Sequence, residues 1–105
     1  MERSQVFVNI HVNFSTNKVA SGFLVLFNKK GISLANSISN FVDEFPNNLG
    51  TKDKSNSLFV LRKFKGPAVL IEGGFISNDR DRAIMLNRSS KIGQQIAEGI
   101  IKFLK

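Results

Sequence analysis

The chain has 105 residues, of which 42% are apolar and 22% charged, so wholesale disorder is excluded and one domain, residues 1–105, is expected. The absence of cysteine excludes disulfides, thiolate nucleophiles and zinc sites with cysteine ligands. The net charge of +7 favours anionic partners such as nucleic acid, anionic lipid or an acidic cell-wall polymer. The basic residues are scattered, however, and fit a generic solvated surface as well.

The first half of the chain predicts two strands followed by a helix. Residues 5–12 alternate between apolar and polar side chains, which predicts a strand. Residues 21–27 are apolar almost throughout, which predicts a strand that is covered on both faces. From the candidate N-cap Ser33, apolar residues recur every three or four positions up to Phe45, and Pro46 limits the helix that this spacing predicts.

The second half predicts two more strands and two helices. Residues 46–57 are rich in polar residues and turn formers, which predicts a loop, whereas residues 58–61 and 67–71 are apolar and predict short strands. Residues 79–86 predict a short helix, and a longer helix is expected from residues 89–90 onward. The predicted order β-β-α-β-β-α-α indicates an α/β fold, with an open, mostly parallel or mixed sheet flanked by helices.

Two polar residues stand where such a fold places function. His11, the only histidine, lies near the downstream end of the first strand, and Glu72 follows the buried strand and precedes Gly73-Gly74. If the two strands run parallel, both side chains share the crevice beyond their carboxyl ends, and Glu72 is a candidate for proton transfer. Each residue also has an ordinary structural explanation: a packed histidine, a solvated carboxylate and a simple glycine turn.

At these residues the sequence resembles a known enzyme family. Residues 67–78, PAVLIEGGFISN, closely resemble the signature of the zinc-dependent N-acetylmuramoyl-L-alanine amidases, in which an apolar strand delivers a glutamate and then a Gly-Phe-(Ile/Leu)-Ser-Asn turn. Residues 8–13, VNIHVN, are similar to the family's Ser-Ile-His-Ala-Asn motif, with Asn9 and Val12 in place of serine and alanine. Further similar segments, in the family's order, are Gly22 and residues 33–35, 58–62 and 96–100.

This resemblance implies a peptidoglycan hydrolase. Members of the family cleave the amide between N-acetylmuramic acid and L-alanine of the stem peptide, with a zinc ion that is held by two histidines and a glutamate, while a further glutamate acts as general base and acid. The resemblance makes Glu72 the catalytic glutamate and His11 the last of the zinc ligands in chain order. It implies peptidoglycan as substrate and a place in the periplasm, cell envelope or cell wall.

The other zinc ligands of the family have no counterpart in this sequence. They belong to a segment with a strand and a helix that would precede Met1, and Glu2 is the only carboxylate upstream of His11. Because catalytic zinc takes three protein ligands, we expect a partial catalytic domain that lacks the family's N-terminal strand and helix, has an incomplete zinc site and is inactive alone. The expected partners are a complementary N-terminal half or a second copy of the chain, since a lost strand exposes a sheet edge.

A non-catalytic module is the alternative interpretation, with the same fold binding an anionic cell-wall polymer through its basic surface. Nucleic acid is not an expected partner, because the ten phenylalanines fit core filling better than a platform for stacking bases. The sequence also has no apolar run approaching the roughly 20 residues of a membrane span, and its first residues show no signal-peptide pattern.

Overall fold

The computed structural model describes residues 5–105, and this part of the chain contains a four-stranded mixed sheet. The strands are β1 (Phe7–Asn13), β2 (Phe23–Phe27), β3 (Asn48–Asp53) and β4 (Ala68–Phe75), and they lie in the order β1-β4-β2-β3. β1 runs parallel to β4 and β2 runs parallel to β3, whereas β2 and β4 pair antiparallel. Among the described residues, β1 and β3 are therefore the edge strands.

Four α-helices lie among residues 5–105. They are α1 (Ile32–Phe41), which follows a short 3₁₀ turn, α2 (Phe59–Lys63), α3 (Asp79–Asn87) and α4 (Ser89–Leu104). Across the part of the chain that the structure describes, none of these helices is long and apolar enough to cross a membrane.

The larger core lies on the sheet face that α1 and α4 cover. There Phe23 of β2 and Ile71 of β4 pack with Leu34 and Ile38 of α1 and with Ile96 of α4. Along α1 and α4 the buried residues recur at three- and four-residue intervals, so each helix presents one apolar stripe to the sheet.

A smaller core lies on the opposite face of the sheet. Leu26 of β2 and Leu70 of β4 pack there with Leu61 of α2, and the rings of Phe7 and Phe64 lie 5.6 Å apart between their centroids. The two cores share strands β2 and β4, whose alternate side chains point to opposite faces.

The predicted fold class is confirmed, because the sheet is open, mixed and flanked by helices. Two elements differ from the prediction. Residues 46–57, predicted as a loop, contain β3. Residues 58–61, predicted as a strand, are the N-cap and the first three residues of the helix α2. β3 is a polar edge strand that pairs with β2 through its backbone, so it shows no apolar period. In α2, Leu61 is 1% exposed, and so short an apolar run is compatible with either type of element.

The start of α1 also differs from the prediction. Gly31, not Ser33, is the N-cap of α1, and no side chain caps the helix there. The backbone at Gly31 lies close to β4, which explains why glycine begins the helix. Gly31 is buried, and a Cβ atom there would lie 2.4 Å from the Ala68 carbonyl oxygen. The first turn of α1 therefore begins in close contact with the sheet.

Candidate active site

The structure places His11 and Glu72 side by side. β1 and β4 run in register from the pair Phe7 and Ala68 to the pair His11 and Glu72. Paired residues of neighbouring strands project to the same face, and the strands lie about 4.8 Å apart. Because Phe7 and Leu70 pack in the smaller core, the alternation along both strands puts His11 and Glu72 on that face. Glu72 lies within β4, which continues to Phe75, and does not follow the strand as the sequence predicted.

Asn13 joins this pair from the last position of β1. Its Nδ2 atom donates a hydrogen bond of 2.9 Å to Oε1 of Glu72. His11 is exposed, whereas Asn13 and Glu72 are half-buried. The amide therefore fixes one carboxylate oxygen of Glu72 at a position that solvent and a ligand can reach. In the sequence Asn13 is only part of a motif, because nothing local shows that its side chain meets a residue on another strand.

The glycines after Glu72 form a bulge within β4 rather than the tight bend that the sequence suggested. Between the pairs His11–Glu72 and Asn13–Phe75, β1 advances by two residues and β4 by three, so the extra residue belongs to β4. Gly74 has a φ of +101°, and a Cβ atom there would lie 2.8 Å from Cε1 of Phe45. A bulge of this kind bends its strand and suits glycine at the position with positive φ.

Asp81 anchors the end of β4, a role that sequence analysis missed. It is 1% exposed, and its Oδ2 atom accepts hydrogen bonds from the backbone N–H groups of Phe75 at 2.9 Å and Gly22 at 2.8 Å. Its own N–H donates to Oδ1 of Asn78, the N-cap of α3. In the sequence Asp81 resembles an ordinary acidic residue in the first turn of a helix. Only the fold shows that its side chain turns inward and ties β2 to β4.

The described residues do not by themselves form a zinc site. Within residues 5–105 no group of three or more histidine, aspartate and glutamate side chains is close enough to hold a metal ion. Glu2, the one carboxylate upstream of His11, lies outside the described residues. Because catalytic zinc takes three protein ligands and a water molecule, His11 with Glu72 beside it is an incomplete set.

Solved structures that share this fold are amidases. The N-acetylmuramoyl-L-alanine amidase AmiC2 of Nostoc punctiforme matches with a TM-score of 0.85 and 30% identity, over 94% of this chain and 57% of that one. The catalytic domain of CwlV from Bacillus (Paenibacillus) polymyxa var. colistinus matches with a TM-score of 0.82 and 27% identity, over 94% and 57% of the two chains. The CwlD amidase from Clostridioides difficile, in complex with the GerS lipoprotein, has a TM-score of 0.81, 29% identity and coverage of 94% and 54%.

The class of protein that the fold indicates is therefore that of the amidases, and the chain spans a little over half the length of these relatives. The sequence model of the family described as N-acetylmuramoyl-L-alanine amidase matches residues 1–102. The chain belongs to the N-acetylmuramoyl-L-alanine amidase family, which confirms the resemblance that its motifs indicated. No curated protein sequence gives a significant match.

Proposed function

We propose that the chain is the part of a peptidoglycan amidase that carries the catalytic glutamate and one metal ligand. The completed enzyme cleaves the amide between N-acetylmuramic acid and L-alanine of the stem peptide, and it acts in the cell wall or envelope. Membership of the amidase family supports this function. The single observation that carries it is the direct pairing of His11 with Glu72 on neighbouring parallel strands.

Glu72 is the proposed general base and acid. A carboxylate in this role takes a proton from the attacking water and returns it to the departing amine, which requires a fixed position beside the scissile bond. The hydrogen bond from Asn13 supplies part of that fixation. His11 is the proposed zinc ligand, since a neutral imidazole is a common ligand of zinc.

The remaining metal ligands come from another polypeptide segment in this proposal. One copy offers a single imidazole beside a single carboxylate within residues 5–105. AmiC2 is longer than this chain, which spans 57% of its length. A complementary N-terminal half or a second copy would supply the missing side chains, and the isolated monomer is expected to bind zinc weakly.

The first experiment measures zinc content and amidase activity of the isolated chain. Elemental analysis after dialysis is expected to find much less than one zinc per chain, and purified sacculi are expected to release no stem peptides. The physical reason is the shortage of ligands, not a failure to fold, so far-UV circular dichroism should show the helices and strands. One tightly bound zinc in each monomer together with turnover would contradict the proposed incompleteness.

The second experiment tests Glu72 directly in a completed enzyme, made by combining the chain with the remaining segment of a relative such as AmiC2. Glu72→Ala is expected to lower turnover by about 10²-fold or more, because general acid–base groups contribute that much. Glu98→Ala, on the exposed side of α4, is the matched control and should retain activity. If binding to an anionic wall polymer survives Glu72→Ala and no completed form shows turnover, the chain is the non-catalytic module instead.

A further inference from the structure

A basic pocket lies at the end of the sheet opposite to Glu72. It has a volume of about 300 Å³, and the described residues that line it include no acidic side chain and four basic ones, which are Lys29, Lys30, Arg62 and Lys65. All four basic residues are exposed. Four cations around one small concave surface create a positive potential that favours an anionic ligand.

The pocket is well separated from the proposed catalytic residues. β2 and β4 run antiparallel, so the end of β2 lies beside the start of β4. Asn28, which lines the pocket, directly follows β2, and its N–H donates to the carbonyl oxygen of Ala68. From Ala68 to Glu72 the strand covers about 13 Å, because an extended chain rises about 3.3 Å per residue. A ligand in the pocket therefore leaves the end of the sheet with Glu72 open.

Asn28 holds the two parts of the pocket together. Its side chain is buried, donates hydrogen bonds to the segment 61–66 and accepts one of 3.0 Å from the Ala68 N–H. The donated bonds reach the carbonyl oxygens of Leu61 at 3.2 Å, Phe64 at 3.4 Å and Gly66 at 3.0 Å. Two of the cations directly follow Asn28, and the other two belong to the segment 61–66. The cations are therefore placed beside one another before a ligand binds, which lowers the entropic cost of binding.

A neighbouring carboxylate offsets part of this charge. Hydrogen bonds from Ser55 lower the pKa of Asp53, and the charge of Lys29 lowers it by a smaller amount. Asp53 is therefore ionised at neutral pH and attracts Lys29. It acts on one of the four cations, so the pocket keeps a net positive charge.

The surroundings of the pocket argue against a nucleic acid or a bilayer as its ligand. Phe64 is the one aromatic residue among the described residues that line it, and its ring lies 5.6 Å from that of Phe7 in the smaller core. The exposed Phe59 of α2 already has the cations of Arg62 and Lys63 over its ring, at 5.7 and 5.8 Å from the centroid. A base would therefore find no unoccupied ring to stack on. Interfacial binding to a bilayer requires a helix with a broad apolar face, whereas α2 has five residues.

We propose that the basic pocket binds a phosphodiester polymer of the cell wall. A phosphate presents tetrahedrally arranged oxygens to cations on several sides, and arginine and lysine both pair with it. The choice of a wall polymer rests on the proposed function, which puts the enzyme in the cell wall. Covering the pocket with another part of the domain would instead withdraw four cations from water, which is costly unless each of them gains a partner.

Fluorescence anisotropy of a labelled poly(glycerol phosphate) oligomer, titrated with the full chain, tests the proposal. We expect the dissociation constant to rise about tenfold or more between about 50 and 200 mM salt, because phosphate contacts release counterions. Lys29→Gln combined with Arg62→Gln should raise it about tenfold or more at the lower salt, since two charge-assisted hydrogen bonds are lost. Lys91→Gln combined with Lys102→Gln is the control with the same net charge. These exposed lysines lie on α4, and their loss should change the constant less than about twofold because distant charges are screened.

Equal losses in the two double variants would overturn the pocket, because binding would then follow net charge alone. Poly-glutamate of the same length, single-stranded DNA and vesicles of anionic lipid are the competing ligands, and any of them that binds as tightly as the phosphate polymer would overturn the assigned partner. Absence of binding at the lower salt would overturn the site itself.

The completed enzyme provides the remaining test. It should bind the polymer as the chain alone does, and a loss of binding would show that the added segment covers the pocket, which also contradicts the proposal. Glu72→Ala should bind the polymer with an unchanged dissociation constant. Its turnover in the completed enzyme decides the proposed amidase function separately.

Discussion

Glu72 is held in place by neighbours that are distant in sequence. His11 lies beside it across the β1–β4 pairing, and Asn13 donates a hydrogen bond to its carboxylate. The bulge that ends at Gly74 then bends β4 directly after the glutamate. A functional group supported in this way loses little entropy when it binds a ligand, which is the advantage of placing a site on strands instead of on a loop.

Asp81 is the residue whose loss should cost most at this end of the sheet. Asp81→Ala is expected to lower the free energy of unfolding by about 2–4 kcal/mol, because two backbone N–H groups lose their acceptor in a buried setting. Urea denaturation followed by circular dichroism measures the change.

The matched control for Asp81 lies two residues earlier in the same helix. The Asp79 side chain is 94% exposed and forms an ion pair of 2.7 Å with Arg82. Asp79→Ala is expected to cost less than about 1 kcal/mol, because exposed ion pairs contribute little. Equal losses for the two variants would show that Asp81 does not tie the strands together.

At the scale of elements, the tightest contact between helices is the approach of α4 to α1. The Ser37 hydroxyl donates a hydrogen bond of 2.7 Å to the Gly99 carbonyl oxygen, and a Cβ atom at Gly99 would lie 2.6 Å from Cα of Ile38. Glycine is needed here because the backbones of two helices meet without room for a side chain. The position of α4 over the sheet therefore depends on the absence of a side chain at Gly99.

The two glycines of α4 provide a matched test of this contact. Gly99→Ala is expected to lower the free energy of unfolding by about 1–3 kcal/mol, because the added methyl group overpacks the α1–α4 contact. Gly93→Ala, where a Cβ atom meets nothing within 4 Å, should raise the free energy of unfolding by up to about 1 kcal/mol, because alanine has a higher helix propensity than glycine. Thermal unfolding compares the variants, and stabilisation by both would contradict the close approach.

At the scale of the whole molecule, the two cores are linked because they share the strands β2 and β4. Adjacent residues of β2 and of β4 pack on opposite faces, as Leu26 does in the smaller core and Phe27 in the larger one. Neither core can therefore lose its strands while the other keeps them. That residues 1–105 form one domain stays a prediction.

A single cooperative unfolding transition is the corresponding prediction. Far-UV circular dichroism follows the helices, and methyl resonances in NMR spectra follow both cores; the chain has no tryptophan or tyrosine to serve as a fluorescent probe. Coincident midpoints are expected, since small domains with a shared core unfold in one step. Midpoints that differ between the two probes would indicate separate units.

The elements that the sequence predicted are those whose side chains carry a strong period. The strands β1, β2 and β4 and the helices α1, α3 and α4 were recognised, because burial on one or both faces leaves its pattern in the apolar residues. The pairing of a histidine motif with a glutamate motif also identified the family. The catalytic role of Glu72 and the ligand role of His11 stay predictions.

Tertiary structure decided what no local pattern could encode. β3 exists because its backbone pairs with β2, although most of its side chains are polar. The inward turn of Asp81 and the contact of Asn13 with Glu72 depend on partners 59 residues away along the chain. The period of the apolar residues shows which faces of a segment are buried. Hydrogen bonds between distant segments, in contrast, form only when the strands pair in their register. The sequence by itself therefore determined the elements of the main core and the family, and the fold decided the sheet edge and the geometry of the site.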